Sequence, residues 1–284
     1  MHRYGGSKSR TCPRAWRSEA TRFKRPRSAS SERTGRIAPV IDTLAARLRS
    51  ARRVTVLTGA GVSAASGVPT FRGAGGLWRS FRAEDLATPE AFARDPALVW
   101  EWYEWRRAMI ASCTPNAAHD VLARWTRESS LCTVVTQNVD DLHLRAGTER
   151  LVRLHGSIWE LACWNRCGVP PWRDERVPLP ARAATCPTCG GLARPGVVWF
   201  GEMLSQADLD AASMACACDV FIAVGTSAIV YPAAGLLQQA KARGAFTAEI
   251  NVETTSASSA VDLAIQGGAE DILPALSAHL PNLG

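Results

Sequence analysis

The sequence predicts an α/β fold, a mainly parallel sheet with helices on both faces, and three observations predict it. Short β-rich runs recur at 54–58, 131–136, 152–154, 220–224 and 248–252. Segments with helical periodicity separate them, which is the alternation of a parallel sheet with crossover helices. Each run also ends at glycine or polar residues, as expected where a ligand meets the carboxyl ends of parallel strands.

At 284 residues and 46% hydrophobic content, the chain is long enough for one large domain plus a smaller insertion. It has no run of about eighteen apolar residues, so no membrane span is expected, and the first thirty residues lack the apolar core of a secretory signal. The expected location is therefore cytoplasmic. The net charge of +7 is unevenly placed: residues 1–38 hold eleven of the 33 Lys/Arg against Glu19 and Glu32, leaving 22 basic and 24 acidic residues for the rest. Residues 1–38 are rich in Arg and Ser and aperiodic, and are expected to be a disordered tail. A solvated extension, a start placed too early, an arm touching nucleic acid or an anionic surface, and a mitochondrial transit peptide are the alternatives for it. Nucleic acid has no other footprint in the sequence.

Apolar residues between Ile41 and Leu48 have helical spacing and predict a short helix. The strand 54–58 then feeds Gly59-Ala60-Gly61-Val62-Ser63-Ala64-Ala65-Ser66-Gly67. Glycines let backbone approach a pyrophosphate closely, and the N–H groups of a helix start favour negative charge. The full G-x-G-x-x-G spacing is lacking, but the loop continues through Pro69, Thr70, Phe71, Arg72 and Gly73, and an aromatic with an arginine suits a loop folded over a cofactor. Residues 90–128 read as a helical insertion. After the run 131–136 come Gln137, Asn138, Val139, Asp140, Asp141 and His143, then His155-Gly156-Ser157. His155 follows a short strand at the same sheet edge as the glycine-rich turn, where an imidazole can take a proton from a sugar hydroxyl. His143 reads as a structural histidine.

Residues 59–73, Gln137-Asn138-Val139-Asp140, His155-Gly156, Gly225-Thr226-Ser227 and Asn251-Val252-Glu253 stand in the order and approximate spacing of the sirtuins, and the resemblance covers roughly residues 40–275. It implies a Rossmann-type domain with a smaller zinc domain, and NAD-dependent transfer of an acyl group from protein lysine to ADP-ribose with release of nicotinamide. His155 would be the catalytic base, with Asn138 beside it in catalysis. Residues 59–78 would wrap NAD, through Gly59, Ala60, Gly61, Ser63, Ala64, Gly67, Thr70, Phe71, Arg72 and Trp78. Gln137 and Asn138 would hold the nicotinamide ribose, with Val139 and Asp140 at the nicotinamide pocket. Gly225, Thr226 and Ser227 would meet phosphate or ribose, and Asn251, Val252, Glu253 and Ala269 the adenosine side. Other uses of such a site are mono-ADP-ribosyl transfer and NAD or ADP-ribose sensing. The chain is expected to be a monomer acting on acyl-lysine proteins.

Of nine cysteines, Cys12 lies in the tail, while Cys113, Cys132, Cys216 and Cys218 sit in or beside apolar stretches and read as buried thiols. Cys163 and Cys167, then Cys186 and Cys189, are two close pairs at the separation of a closed structural zinc site. Three residues part the first pair, where the sirtuins have two. The predicted division is 1–38 tail, about 39–78, 130–158 and 195–284 Rossmann part, about 79–129 helical insertion and about 159–194 zinc module.

Tyr103 and Arg106 have i, i+3 spacing and would share a helix face. By spacing alone this is a surface arginine beside a packed tyrosine. A Tyr-x-x-Arg at this place resembles the sirtuin branch that removes succinyl and malonyl groups, which implies a guanidinium for the acyl carboxylate, with Ala87 leaving room for the chain. The run 196–202, with Val197, Trp199, Phe200, Gly201 and Glu202, resembles the family's substrate-binding strand.

Overall fold

The computed structural model describes residues 30–70, 77–78, 81–128, 132–180, 184–227 and 231–280, without the side chains of 30–38, 77, 78 and 81. The chain divides after Arg36, and the architecture is that of Ile37–Gly284. In order, α1 (Ser30–Ser50) leads to β1 (Val54–Thr58) and a single turn, α2 (Gly61–Ala64). A hairpin of β2 (Leu77–Trp78) and β3 (Phe81–Arg82) precedes α3 (Ala83–Leu86), α4 (Pro89–Arg94), α5 (Pro96–Ala111) and α6 (Ala117–Glu128). Then come β4 (Cys132–Thr136), α7 (Leu142–Arg145), β5 (Leu151–Arg153), β6 (Gly156–Cys163), β7 (Trp172–Arg173) and β8 (Ala193–Val197). The chain closes with α8 (Gln206–Ala215), β9 (Val220–Val224), α9 (Ala233–Ala242), β10 (Phe246–Asn251), β11 (Leu263–Gln266) and α10 (Ala269–Ala278).

Six strands form a parallel sheet in the order β11-β10-β9-β1-β4-β5. β1 and β9 are buried at every position, as their unbroken apolar runs require of strands covered on both faces. Side chains alternate between two cores. Val56 and Ile222 face α1, α6 and α10 through Leu44, Leu122, Trp125 and Leu276. Leu57 and Phe221 face α8 and α9 through Ala212, Leu236 and Leu237. The chain runs from β1 to β4 on one side and returns to β9 on the other, so the strand order reverses at β1, where such sheets leave a crevice. Thr58 is level with Thr136 and with Val224, so the strand ends open into that crevice together.

The α/β architecture is as predicted, and the structure alters four details. α1 is helical from Ser30, inside the stretch expected to lack structure. The helical region is three segments of different allegiance. α4 and α5 start at Pro89 and Pro96, with the Thr88 and Asp95 side chains accepting the Ala91 and Leu98 N–H groups. α6 packs on the main sheet through Ala118, Leu122 and Trp125, because its apolar stripe matches that face. β8 joins β6 and β7 in an antiparallel sheet rather than the main one. That sheet shares a core with α4 and α5 through Phe92, Trp100, Tyr103, Ile158, Trp159 and Leu161. Arg107 ties α5 to it: the buried guanidinium donates to the carbonyls of Ile158, Asp174 and Arg176. Finally, the strand expected over 196–202 ends at Val197, and Gly201 adopts φ 85°. Among the described residues no helix is long and apolar enough to cross a membrane.

Candidate active site at the carboxyl ends of the strands

The glycine-rich turn after β1 and the turn after β9 interlock. Gly61 N–H donates to the Gly225 carbonyl at 2.8 Å and Gly59 N–H to Val224 at 3.1 Å. A Cβ on Gly61 would stand 2.7 Å from Gly225 Cα, and one on Gly225, at φ 57°, would stand 2.5 Å from Val62 N. Only glycine permits this approach, which brings two rows of backbone polar groups to one edge. α2 buries Val62 and Ser63 and leaves Ala64 at the surface.

Asn138 reaches back from the end of β4 to the same turn, its Nδ2 donating to the Gly59 carbonyl at 3.0 Å and to Ser63 Oγ at 3.2 Å. Gln137 Nε2 donates to Thr226 Oγ1 at 2.8 Å, and Asn251 Nδ2, at the end of β10, to the Thr226 carbonyl at 2.9 Å. The ends of β1, β4, β9 and β10 are thus joined by side-chain amides. Ser227 continues beside Thr226, half-buried.

His155 lies just past β5, half-buried, with Nδ1 2.9 Å from the Gln137 carbonyl. A carbonyl only accepts, so Nδ1 carries the hydrogen and Nε2 keeps its lone pair in the neutral ring. Burial lowers the His155 pKa, and the bond to Gln137 raises it in part. Burial keeps the ring neutral near neutral pH, and the bond to Gln137 fixes the tautomer that presents the Nε2 lone pair. Asp140 is buried, accepts the Leu142 N–H at 2.9 Å, and has its carboxyl pKa raised, chiefly by burial. The carbonyl of Val139 is held by Ile158 N–H at 2.9 Å.

Sequence reasoning missed the polar chain beneath this edge. Thr58 Oγ1 donates to Thr136 Oγ1 at 2.8 Å and lies 3.0 Å from His143 Nε2. The His143 and His119 rings stand 4.8 Å apart, and His119 Nε2 is 3.4 Å from Ser63 Oγ. Threonines ending two apolar strands were the available signal. Both histidines are buried, and burial depresses both pKa values, that of His119 to about 4. The unfolded chain binds protons near pH 6.5 that the fold refuses, so stability present above that pH falls as pH drops toward about 4. Chemical denaturation at pH 7.5 and pH 5 should show a loss of about 2 kcal/mol from His119 alone, and His119→Gln should flatten that slope.

The residues expected at an acyl pocket lie in or beside the second core. Tyr103 and Arg106 are both buried on α5, so Arg106 is not the surface side chain that its spacing alone suggested. The Arg106 guanidinium lies 5.0 Å from the Trp102 ring centre and 5.7 Å from that of Tyr103. Burial lowers its pKa, while the charges of Tyr103 and Asp140 raise it. Ala87 is buried, with its carbonyl accepting Phe200 N–H at 2.9 Å. Trp199 is buried and its Nε1 donates to the Tyr103 hydroxyl at 2.9 Å. Glu202 forms a two-pronged pair with Arg194 and accepts Trp199 N–H at 2.9 Å, so its carboxylate is engaged within the protein. Val197 is buried, and Phe200 is exposed.

Other expected cofactor residues lie apart or beyond view. Thr70 and Gly67 are placed, Phe71 and Arg72 fall outside the described residues, and only the backbone of Trp78 is described. Val252 and Glu253 are exposed past β10. Ala269 opens α10, near Asn251, whose carbonyl accepts Gly267 N–H at 2.8 Å.

The four paired cysteines converge. Their sulfurs all lie within 4.8 Å of one another, with Cys163 to Cys189 at 3.6 Å and Cys167 to Cys186 at 3.7 Å. Tetrahedral zinc with sulfurs at about 2.3 Å needs sulfur separations of about 3.8 Å. The longer gap of the first pair is absorbed by Arg166, which turns left-handed at φ 50°. Cys113, Cys132, Cys216 and Cys218 are buried free thiols as expected, and burial pushes Cys132 up to about 12 and Cys216 to about 11.

Comparison with known proteins places this geometry in a family. The profile described as Sir2 family matches residues 59–232. The chain is similar to NAD-dependent protein deacylase 2 of Pyrobaculum aerophilum, 50% identical over 81% of this chain and 91% of that one. It is similar to the mitochondrial NAD-dependent protein deacylase sirtuin-5 of Canis lupus familiaris, 43% identical over 81% of this chain and 82% of that one. Among solved structures, the crystal structure of a Sir2 homolog–NAD complex superposes with TM-score 0.80 at 43% identity, over 84% of this chain and 93% of that one. A profile over more than half of the chain, relatives aligned over most of their length and a shared fold agree, and the chain belongs to the Sir2 family.

Proposed function

We propose that this chain removes acidic acyl groups, succinyl and malonyl, as well as acetyl, from protein lysine. As a Sir2 enzyme it is an NAD-dependent protein deacylase. The observation that carries the acidic preference is the buried Arg106 beside Tyr103 on α5. A guanidinium held in place by burial offers a planar fork of donors that matches a carboxylate, and the end of an acidic acyl chain is a carboxylate. The likeness to sirtuin-5 supports the same reading.

NAD supplies the ribose that receives the acyl group, with nicotinamide released. The interlocked turns at Gly59, Gly61 and Gly225 would present backbone to the pyrophosphate, and Gln137 and Asn138, anchored at the same edge, would meet the ribose hydroxyls. Asp140 would face the nicotinamide, and Asn251 the adenosine side. His155 Nε2 would take a proton from a ribose hydroxyl, because its other nitrogen is already committed as donor to Gln137. The reading is tested by kinetics on peptides carrying acetyl-, malonyl- and succinyl-lysine. A succinyl kcat/KM above that for acetyl supports it, and a ratio below one refutes it.

Cys163, Cys167, Cys186 and Cys189 would hold one structural zinc, since four thiolates fill a tetrahedron and leave no open position for catalysis. Metal analysis of purified protein should find one zinc per chain. Cys189→Ser should lose it and lower the melting temperature; zinc retained by that variant would exclude the site. The protein is expected to act as a monomer in the cytoplasm, or in mitochondria if its basic leader is a transit peptide. Sedimentation and tagged-chain imaging check these.

A further inference from the structure

A phenolic hydrogen lies in the ring plane, on one of two sides, because the oxygen is conjugated with the ring. For Tyr103 one of those sides is taken: the indole Nε1–H of Trp199 donates to the hydroxyl oxygen at 2.9 Å, with both side chains almost fully buried. The indole nitrogen has no acceptor role, so the oxygen must accept there and direct its own hydrogen to the other side. Trp199 is itself held on several sides. The Arg194 guanidinium sits 3.5 Å from the centre of its ring, and the Phe92 ring packs 5.3 Å away. The Glu202 carboxylate that grips Arg194 also accepts the Trp199 backbone N–H. Burial raises the Tyr103 pKa, so the phenol keeps its hydrogen across the working pH range.

We infer that Trp199 is a specificity-determining positioning residue, whose indole N–H fixes the Tyr103 hydroxyl as a hydrogen donor to the carboxylate of an acidic acyl group. Trp199 acts through Tyr103 and need not touch the carboxylate. The inference rests on the acidic-acyl reading above. It links the segment after β8 to α5, so the Arg194–Glu202 pair, remote in sequence from the tyrosine, becomes a brace for the acyl pocket. A donor committed in advance loses no orientation on binding, which is how preorganised polar groups gain selectivity.

The test uses the full chain with Trp199→Phe, Tyr103→Phe, their combination and Arg106→Met, each assayed on succinyl- and acetyl-lysine peptides with saturating NAD. Trp199→Phe should lower the succinyl-to-acetyl ratio of kcat/KM about tenfold, mainly through the succinyl KM, the scale of one hydrogen bond to a charged group. Adding Trp199→Phe to Tyr103→Phe should lower the ratio no further. In 1H–15N spectra, the indole resonance absent from Trp199→Phe should move upfield in Tyr103→Phe. A misfolded or merely loosened pocket would reproduce neither the non-additivity nor the shift. Equal losses on both substrates, multiplying losses in the double variant, or an unmoved indole resonance each overturn the inference. If Arg106→Met lowers the ratio while Trp199→Phe does not, the inference fails and the acidic-acyl reading stands. If Arg106→Met leaves the ratio unchanged, that reading fails and takes the inference with it.

Discussion

His155→Ala is expected to cost on the order of 10²–10⁴ in turnover, the range of a lost general base, while the melting temperature stays within a few degrees of the parent. The side chain is half-buried at the sheet edge, and its one described bond is to the Gln137 carbonyl, so removing it leaves the strands and their amide links intact. The pH profile carries a second expectation. Proton acceptance requires the neutral ring, and burial lowers the His155 pKa below the ordinary histidine value of 6.5. Activity should therefore hold as pH falls toward 6.5 and decline only below it, along a limb that His155→Ala abolishes. A limb centred above 7, or a variant that retains full desuccinylation, would contradict the assignment. Retained NAD binding in the variant, measured by calorimetry, would locate the defect in chemistry rather than in cofactor affinity.

Arg106→Met should depress succinyl and malonyl removal by about two to four orders of magnitude, while acetyl removal falls far less. Leaving a buried acyl carboxylate without its cation costs about 3–5 kcal/mol, and each 1.36 kcal/mol is a factor of ten in rate. Methionine gives up the guanidinium contact with the Trp102 ring but keeps an apolar stem of similar length and a high helix propensity, so α5 should persist. The two substrates then report different things. The acetyl arm measures whether the pocket still forms, and the succinyl arm measures the missing charge. Equal losses in both arms would mean that Arg106 is a packing residue. Arg106→Lys is a useful companion, since a compact ammonium lacks the planar fork of a guanidinium and should recover only part of the succinyl activity.

Five of the six strands of the main sheet were legible because each is a short apolar run ending in polar residues, whereas β11, at the sheet edge with only Ile265 buried, carries no such mark. The site was legible for the same reason: Gly59, Asn138, His155, Thr226 and Asn251 all follow such runs, so finding the strands finds the residues. The four cysteines needed only their spacing. What stayed hidden depends on partners distant in sequence. Tyr103 and Trp199 meet across 96 positions, and nothing local in either segment announces the hydrogen bond. The layer that α6 joins follows from which sheet face its stripe matches, a tertiary choice that its own periodicity does not express. The three-stranded antiparallel sheet escaped because β7 is two residues long and β8 runs Ala-Arg-Pro-Gly-Val, without alternation. The His119 and His143 pair looked like two ordinary histidines until the fold put their rings together over Thr58 and Ser63.

The most direct measurement is a succinyl-lysine peptide incubated with the purified chain, with and without NAD, following peptide mass and free nicotinamide together. The account predicts loss of the succinyl group only when NAD is present, one nicotinamide for each free lysine, and the acyl group recovered on ADP-ribose. Succinyl removal without NAD, or nicotinamide release that leaves ADP-ribose on the peptide and the acyl group in place, would contradict it.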